Sequence, residues 1–129
     1  GSTGLSLREH PMLLLRHQHP FNRCKRFVDL PQVGNKRFVR IAGIVTGSQR
    51  PGSASGVLFL TLEDETGNNN VIVWENLQQR FRQALLTAKL LMVKGIVEMR
   101  DDFTHIIAGE LIDYSERLTE LEKNSRDFD

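Results

Sequence analysis

The stretch Phe38-Val-Arg-Ile-Ala-Gly-Ile-Val-Thr-Gly47 is where the chain acquires a regular pattern. Val39, Ile41, Gly43 and Val45 alternate with Phe38, Arg40, Ala42 and Ile44, the two-residue period of a strand with one face turned inward. The strand runs into Gly47-Ser-Gln-Arg-Pro-Gly-Ser-Ala-Ser-Gly56, a series of turn formers long enough for an open loop. A second strand follows over Val57–Glu63, with Leu58, Leu60 and Leu62 on one face and Val57, Phe59 and Thr61 on the other. Asp64-Glu-Thr-Gly67 then turns the chain into a third strand, Asn70–Trp74.

Further along, Leu77, Phe81, Ala84, Leu85 and Ala88 fall at the spacing of one helical face and predict a capping helix over 75–88. Two more strands follow, Lys89–Glu98 and Phe103–Asp113, joined by a turn at Met99-Arg-Asp-Asp102. Gly43 and Gly95 lie mid-strand, where a small closed barrel needs sharp bends and close strand approach. Three strands, a helix and two strands make an all-β, five-stranded Greek-key barrel of the OB type with its helix between strands three and four. The barrel is expected over 37–114. Residues 1–36 read as an irregular and partly helical lead-in that is not part of a core, and 115–129 as a charged tail that frays or forms a marginal helix.

At 129 residues, 40% hydrophobic and 26% charged, the chain has material for one domain. Its formal net charge of +1 hides an asymmetry: residues 1–50 hold nine Lys and Arg against Glu9 and Asp29, a balance of +7, which leaves −6 for residues 51–129. A basic front suits an oriented encounter with a polyanion, and a solvated surface without a partner has the same composition. Cys24 is the single cysteine, so no internal disulfide forms and a reducing cytoplasm is the expected location. Met12-Leu13-Leu14-Leu15 is far too short to target or span a membrane.

An OB barrel usually takes its ligand on strands two and three and on the loops joining strands one to two and four to five. Bases stack there on exposed aromatic rings while cations follow the backbone. Phe59, out of phase with the leucines of its strand, is the leading stacking candidate, and its structural alternative is packing under the long loop or against a neighbour. Trp74, beside the helix, is expected to be partly buried rather than stacked on a base. Phe103 and His105 share one face of strand five near the short turn. Arg40 and Arg50 are the leading phosphate contacts, followed by Lys94 and Arg100, and each is an ordinary surface charge unless they converge. His10, His17, His19 and Cys24 match no metal-ligand spacing, so no metal or cofactor is expected. Asp64, Glu65, Asp101 and Asp102 are read as turn formers, and no nucleophile–base pair or phosphate loop accompanies them, so no catalytic residue is assigned.

The segments Val39-Arg-Ile-Ala-Gly-Ile-Val-Thr-Gly47, Gln49-Arg-Pro-Gly-Ser-Ala-Ser-Gly-Val57, Leu60-Thr-Leu-Glu-Asp-Glu-Thr-Gly67, Val71-Ile-Val-Trp74 and Leu90-Leu-Met-Val-Lys-Gly95 resemble the OB domain of C-family bacterial DNA polymerases, the DnaE type. Gly4–Met12 is similar to the connector before that domain, and the ending Ser125-Arg-Asp-Phe128 resembles the error-prone ImuC branch. The run Asn68-Asn-Asn70 is more polar than the family's turn and predicts a looser one. The resemblance implies a C-terminal, noncatalytic, monomeric piece of a translesion polymerase acting in damage-induced mutagenesis. The parent would use Mg²⁺ for nucleotidyl transfer in another domain. This piece would hold single-stranded DNA or dock ImuB-like and ImuA-like accessory proteins. A third possibility is an RNA anticodon binder, because synthetase OB domains share the Phe59-x-x-Leu62-x-Asp64 pattern.

Overall fold

Strand β1, Phe38–Gln49, serves two neighbours. Its first half, Phe38 to Ile44, pairs antiparallel with β4 (Leu90–Arg100), and its second, Ile44 to Gln49, with β2 (Leu58–Asp64). A strand that changes partner must bend, and Gly43 sits at the change. A Cβ there would come within 2.9 Å of both the Glu63 carbonyl oxygen and the Phe27 ring, closer than any side chain tolerates. Gly95 lies at a register shift between β4 and β5 (Phe103–Asp113), where a Cβ would run into the carbonyl oxygen of Ile107. β2 pairs antiparallel with β3 (Gly67–Val73), β3 pairs parallel with β5, and β5 returns antiparallel to β4. The order β1-β2-β3-β5-β4 closes on itself as the five-stranded OB barrel expected from the strand order. This computed structural model describes residues 9–50 and 56–127; Gly4–Arg8 of the lead-in, Pro51–Ser55 of the loop and the terminal Phe128–Asp129 lie outside the described residues.

The interior is filled by alternate residues of every strand, among them Val39, Ile41, Leu58, Leu60, Leu62, Val71, Val73, Val93 and Ile106. Leu77, Phe81, Ala84, Leu85 and Ala88 pack against this cluster from the segment between β3 and β4, as their spacing requires. That segment is two short helices rather than one, α3 (Glu75–Arg80) and α4 (Arg82–Thr87). The break is at Phe81, whose φ of −113° and ψ of 32° leave the helical region. Spacing reports which face is buried but not a one-residue change of axis.

The lead-in is irregular and partly helical, as its sequence reads, but it departs from that reading in forming part of a core. It contains α1 (Pro11–Leu15), short 3₁₀ turns at Phe21–Arg23 and Phe27–Asp29, and α2 (Leu30–Val33). Met12, Leu15, Phe21 and Cys24 join Ala42, Leu90 and Met92 in a second buried cluster outside the barrel wall. The tail, α5 (Ser115–Asp127), closes it, with Tyr114, Leu118 and Leu121 packed against that cluster. Phe21 and Tyr114 meet edge to face with ring centroids 5.4 Å apart. Arg117 lies over the Phe21 ring at 5.1 Å and donates to the His19 carbonyl at 3.1 Å. The tail therefore buries the apolar positions that its composition alone would leave to fray.

Candidate nucleic-acid interface

Because Leu58, Leu60 and Leu62 point inward, Phe59, Thr61 and Glu63 of β2 point outward. The register then decides what stands beside them. Phe59 faces Ile72 on β3, and Ile72 faces Ile107 on β5. One step along, Thr61 faces Asn70, which faces His105. Two parallel rows thus cross three strands, one apolar and one polar. Thr61 Oγ1 donates to Asn70 Oδ1 at 3.1 Å, and Thr46 Oγ1 donates to the Thr61 carbonyl at 3.3 Å, which holds the polar row in place.

Aromatic rings stand at both ends of this surface. Phe103 is 67% exposed and stacks on the His105 ring, centroids 6.3 Å apart and planes 14° from parallel. Arg100 faces Phe103 across the β4–β5 hairpin. At the other end Trp74 follows β3 and is 48% exposed, more open than its position beside the helix suggests. Arg50 follows β1 at that same end, and its Nη1 donates to Gln78 Oε1 at 2.7 Å. Gln78 Nε2 in turn donates to the Gly56 carbonyl at 2.6 Å and the Val73 carbonyl at 2.9 Å, pinning the base of the long loop to α3.

Of the sequence candidates, the register gathers Phe59, His105 and Phe103 on one surface, with Trp74 and Arg50 at one end and Arg100 at the other. Arg40 and Lys94 are not there. They face each other across β1 and β4, on the side of the barrel where the lead-in packs. Lys94 Nζ lies 3.7 Å from Glu110 Oε1, and Arg40 covers the Phe38 ring at 5.5 Å. Asn70, Thr61, Ile72 and Ile107 were missed. Alternation alone places each outward, but only the strand register shows that they are neighbours.

The turn that ends β2 is densely hydrogen-bonded. Asp64 is 2% exposed. Its Oδ1 accepts from Thr66 N–H and Oγ1, both at 2.7 Å, and from Gly67 N–H at 3.2 Å. Its Oδ2 accepts from Phe27 N–H at 2.9 Å and from Arg16 Nη2 at 3.4 Å. Arg16 also grips Glu65, Nε to Oε2 at 2.9 Å and Nη2 to Oε1 at 2.6 Å. Burial alone would raise the Glu65 carboxyl; the Arg16 hydrogen bond and charge outweigh it and hold the group below its usual range. Burial works against the charge of Arg16 too, yet its carboxylate partners raise its affinity for the proton on balance. The polar Asn68–Asn70 run therefore does not loosen this turn: Gly67–Val73 forms β3, and Asp64 holds the residues before it.

Of the His and Cys side chains of the lead-in, His10 and Cys24 are used structurally, while His17 and His19 are exposed. His10 Nδ1 accepts from Met12 N–H at 3.0 Å and caps α1, while Nε2 lies 3.2 Å from Glu63 Oε1; both contacts are satisfied by the Nε2–H tautomer. Burial raises the Cys24 thiol to about 11, against the pull of Arg16 and Arg40, so it is protonated at neutral pH. Every Asp64 oxygen already faces donors, and among the described residues no three His, Cys, Asp or Glu side chains are grouped to hold a metal ion. These residues do not fit a Mg²⁺ site.

A five-stranded closed barrel with outward aromatic and polar rows is the shared form of many nucleic-acid modules, and the profile of the OB-fold nucleic acid binding domain matches residues 39–114. The chain belongs to this OB-fold family. Beyond the barrel, the OB domain and its flanks together are 63% identical over 127 residues, 98% of the chain, to an error-prone DNA polymerase of Saccharophagus degradans. A relative of the same name from Teredinibacter turnerae is 56% identical over 135 residues. The chain spans only 12% and 13% of the lengths of these relatives. Among solved structures, the asparaginyl-tRNA synthetase of Pyrococcus horikoshii superposes with a TM-score of 0.53 at 24% identity. That match covers 62% of this chain and 20% of the synthetase, and it shows a common fold alone.

Proposed function

We propose that this OB domain binds single-stranded DNA across β2, β3 and β5 as a noncatalytic part of an error-prone polymerase working in damage-induced, translesion synthesis in the cytoplasm. The observation that carries the reading is the register that sets Phe59, Ile72 and Ile107 beside Thr61, Asn70 and His105. Bases stack on the apolar row and on Phe103, base edges meet the polar row, and Arg50 and Arg100 meet phosphates at the two ends. Nucleotidyl transfer and its Mg²⁺ belong, on this reading, to other parts of the longer relatives.

Titration of a labelled single-stranded oligonucleotide tests it. Binding at low salt is expected, and Phe59→Ala should weaken it by the loss of one stacked base, about 1–3 kcal/mol or roughly 5- to 150-fold. Absence of binding at low salt overturns the reading, and preference for an RNA loop favours an anticodon-type module. One observation favours a second reading, docking of ImuB-like or ImuA-like accessory proteins: Phe38 is 56% exposed and Ile96 39% exposed, side by side on β1 and β4. In that case Phe38→Ser would abolish capture of the accessory protein while DNA affinity stayed negligible in both chains.

A further inference from the structure

Among the described residues the β2–β3–β5 surface carries cations only at its ends, which is few for a ligand with one charge per nucleotide. The missing cations are on another side of the barrel. A cavity of about 260 Å³ between the lead-in and the β1–β4–β5 side has His19, Arg23, Arg40 and Lys94 on its walls and Met92 and Ile112 among them. The chain holds Arg23 there by its backbone, since Lys25 N–H donates to the Arg40 carbonyl at 2.8 Å. Among the described residues no carboxylate lines the cavity. Lys94 has Glu110 at 3.7 Å, both half in solvent, whereas the Arg23 and Arg40 side chains have no acidic partner among the described residues. Like charges held together without counter-charges repel, and an anion relieves the repulsion.

We infer that this cavity is a second phosphate-binding site for the same single-stranded DNA, an inference that rests on the function proposed above. The connecting path is on the surface. The apolar row Phe59–Ile72–Ile107 continues onto β4 and β1 as Ile96 and then Phe38. Arg40 and Lys94 are the next outward pair beside Phe38 and Ile96. From β3 to β1 by way of β5 and β4 is three strand spacings, roughly 14 Å. A strand seated on β2 and β3 passes over Ile107, Ile96 and Phe38 and delivers a phosphate to guanidinium groups suited to paired hydrogen bonds.

Oligonucleotide length separates this site from the first. The triple variant Arg23→Gln/Arg40→Gln/Lys94→Gln should bind an oligonucleotide of about 3 nucleotides, too short to occupy both sites at once, as the parent chain does. It should bind one of about 15 nucleotides more weakly, with its log–log salt slope shallower by roughly 0.7, the value for one phosphate no longer neutralised. A charge-matched control, Lys25→Gln/Lys36→Gln/Arg37→Gln, should leave that slope unchanged, and unfolding curves verify that both variants fold. The Tyr114 ring signals, from the single tyrosine in the chain and in the wall of this cavity, should move with the long oligonucleotide and not the short one. Equal weakening by the control, equal weakening at both lengths, or no change at either length overturns the inference. If Phe59→Ala is silent while the triple variant weakens binding, the first surface is wrong and the cavity stands. If the parent chain binds neither oligonucleotide, both readings fall.

Discussion

Replacing Asp64 by Asn keeps the shape of the side chain and removes its charge and half of its acceptors. The amide oxygen can stay toward Thr66 and Gly67, where it keeps three donors. The amide nitrogen then faces Phe27 N–H and the Arg16 guanidinium, donor against donor. Turning the amide around only moves the conflict to Thr66 and Gly67. One buried backbone N–H is left without an acceptor, about 1–3 kcal/mol, and a charge-assisted bond to Arg16 is removed, about 1.5–3 kcal/mol. Arg16 retains both hydrogen bonds to Glu65, which keeps its charge paired and limits the total. The expected loss is about 3 kcal/mol, on the order of 10 °C in Tm for a domain of this size. Urea unfolding followed by circular dichroism measures it, with the m-value unchanged. A loss below about 0.5 kcal/mol would refute the reasoning, because it would mean that the lead-in is not anchored through this carboxylate.

The pairing of Glu65 with Arg16 makes stability depend on pH. The folded carboxyl titrates below its unfolded value, so its contribution is complete above about pH 5 and is lost as pH falls through the folded pKa. Glu65→Gln should flatten the stability profile in that acid range, and parallel profiles for the two chains would contradict the assignment. Arg117→Ala removes the cation over Phe21 and the bond to the His19 carbonyl. It should cost about 1 kcal/mol in the same unfolding assay, and an unchanged midpoint would show that the tail does not brace the lead-in.

How much of this was legible depends on whether a residue's role is set by its own strand or by a distant partner. Leu58, Leu60 and Leu62 turn Phe59 outward by alternation alone, and the stripe from Leu77 to Ala88 finds the barrel core although the helix breaks at Phe81. The second core has no period to read: Met12, Leu15, Phe21 and Cys24 lie in irregular chain, and Ala42 and Met92 look solvent-facing until the lead-in covers them. Asp64 reads as a turn former because its partners Phe27 and Arg16 lie 37 and 48 residues away. Arg40 and Arg50 belong to one stretch of chain, but β1 changes partner between them, so only the topology shows that they face different parts of the barrel.

The most direct test of the ligand surface is a residue-by-residue map of amide and side-chain NMR shifts during titration with a short single-stranded DNA. The account expects the largest changes at Phe59, Thr61, Asn70, Ile72, Phe103 and His105, contiguous across β2, β3 and β5. Changes confined to α3, α4 and α5, or none at saturating DNA, would contradict it.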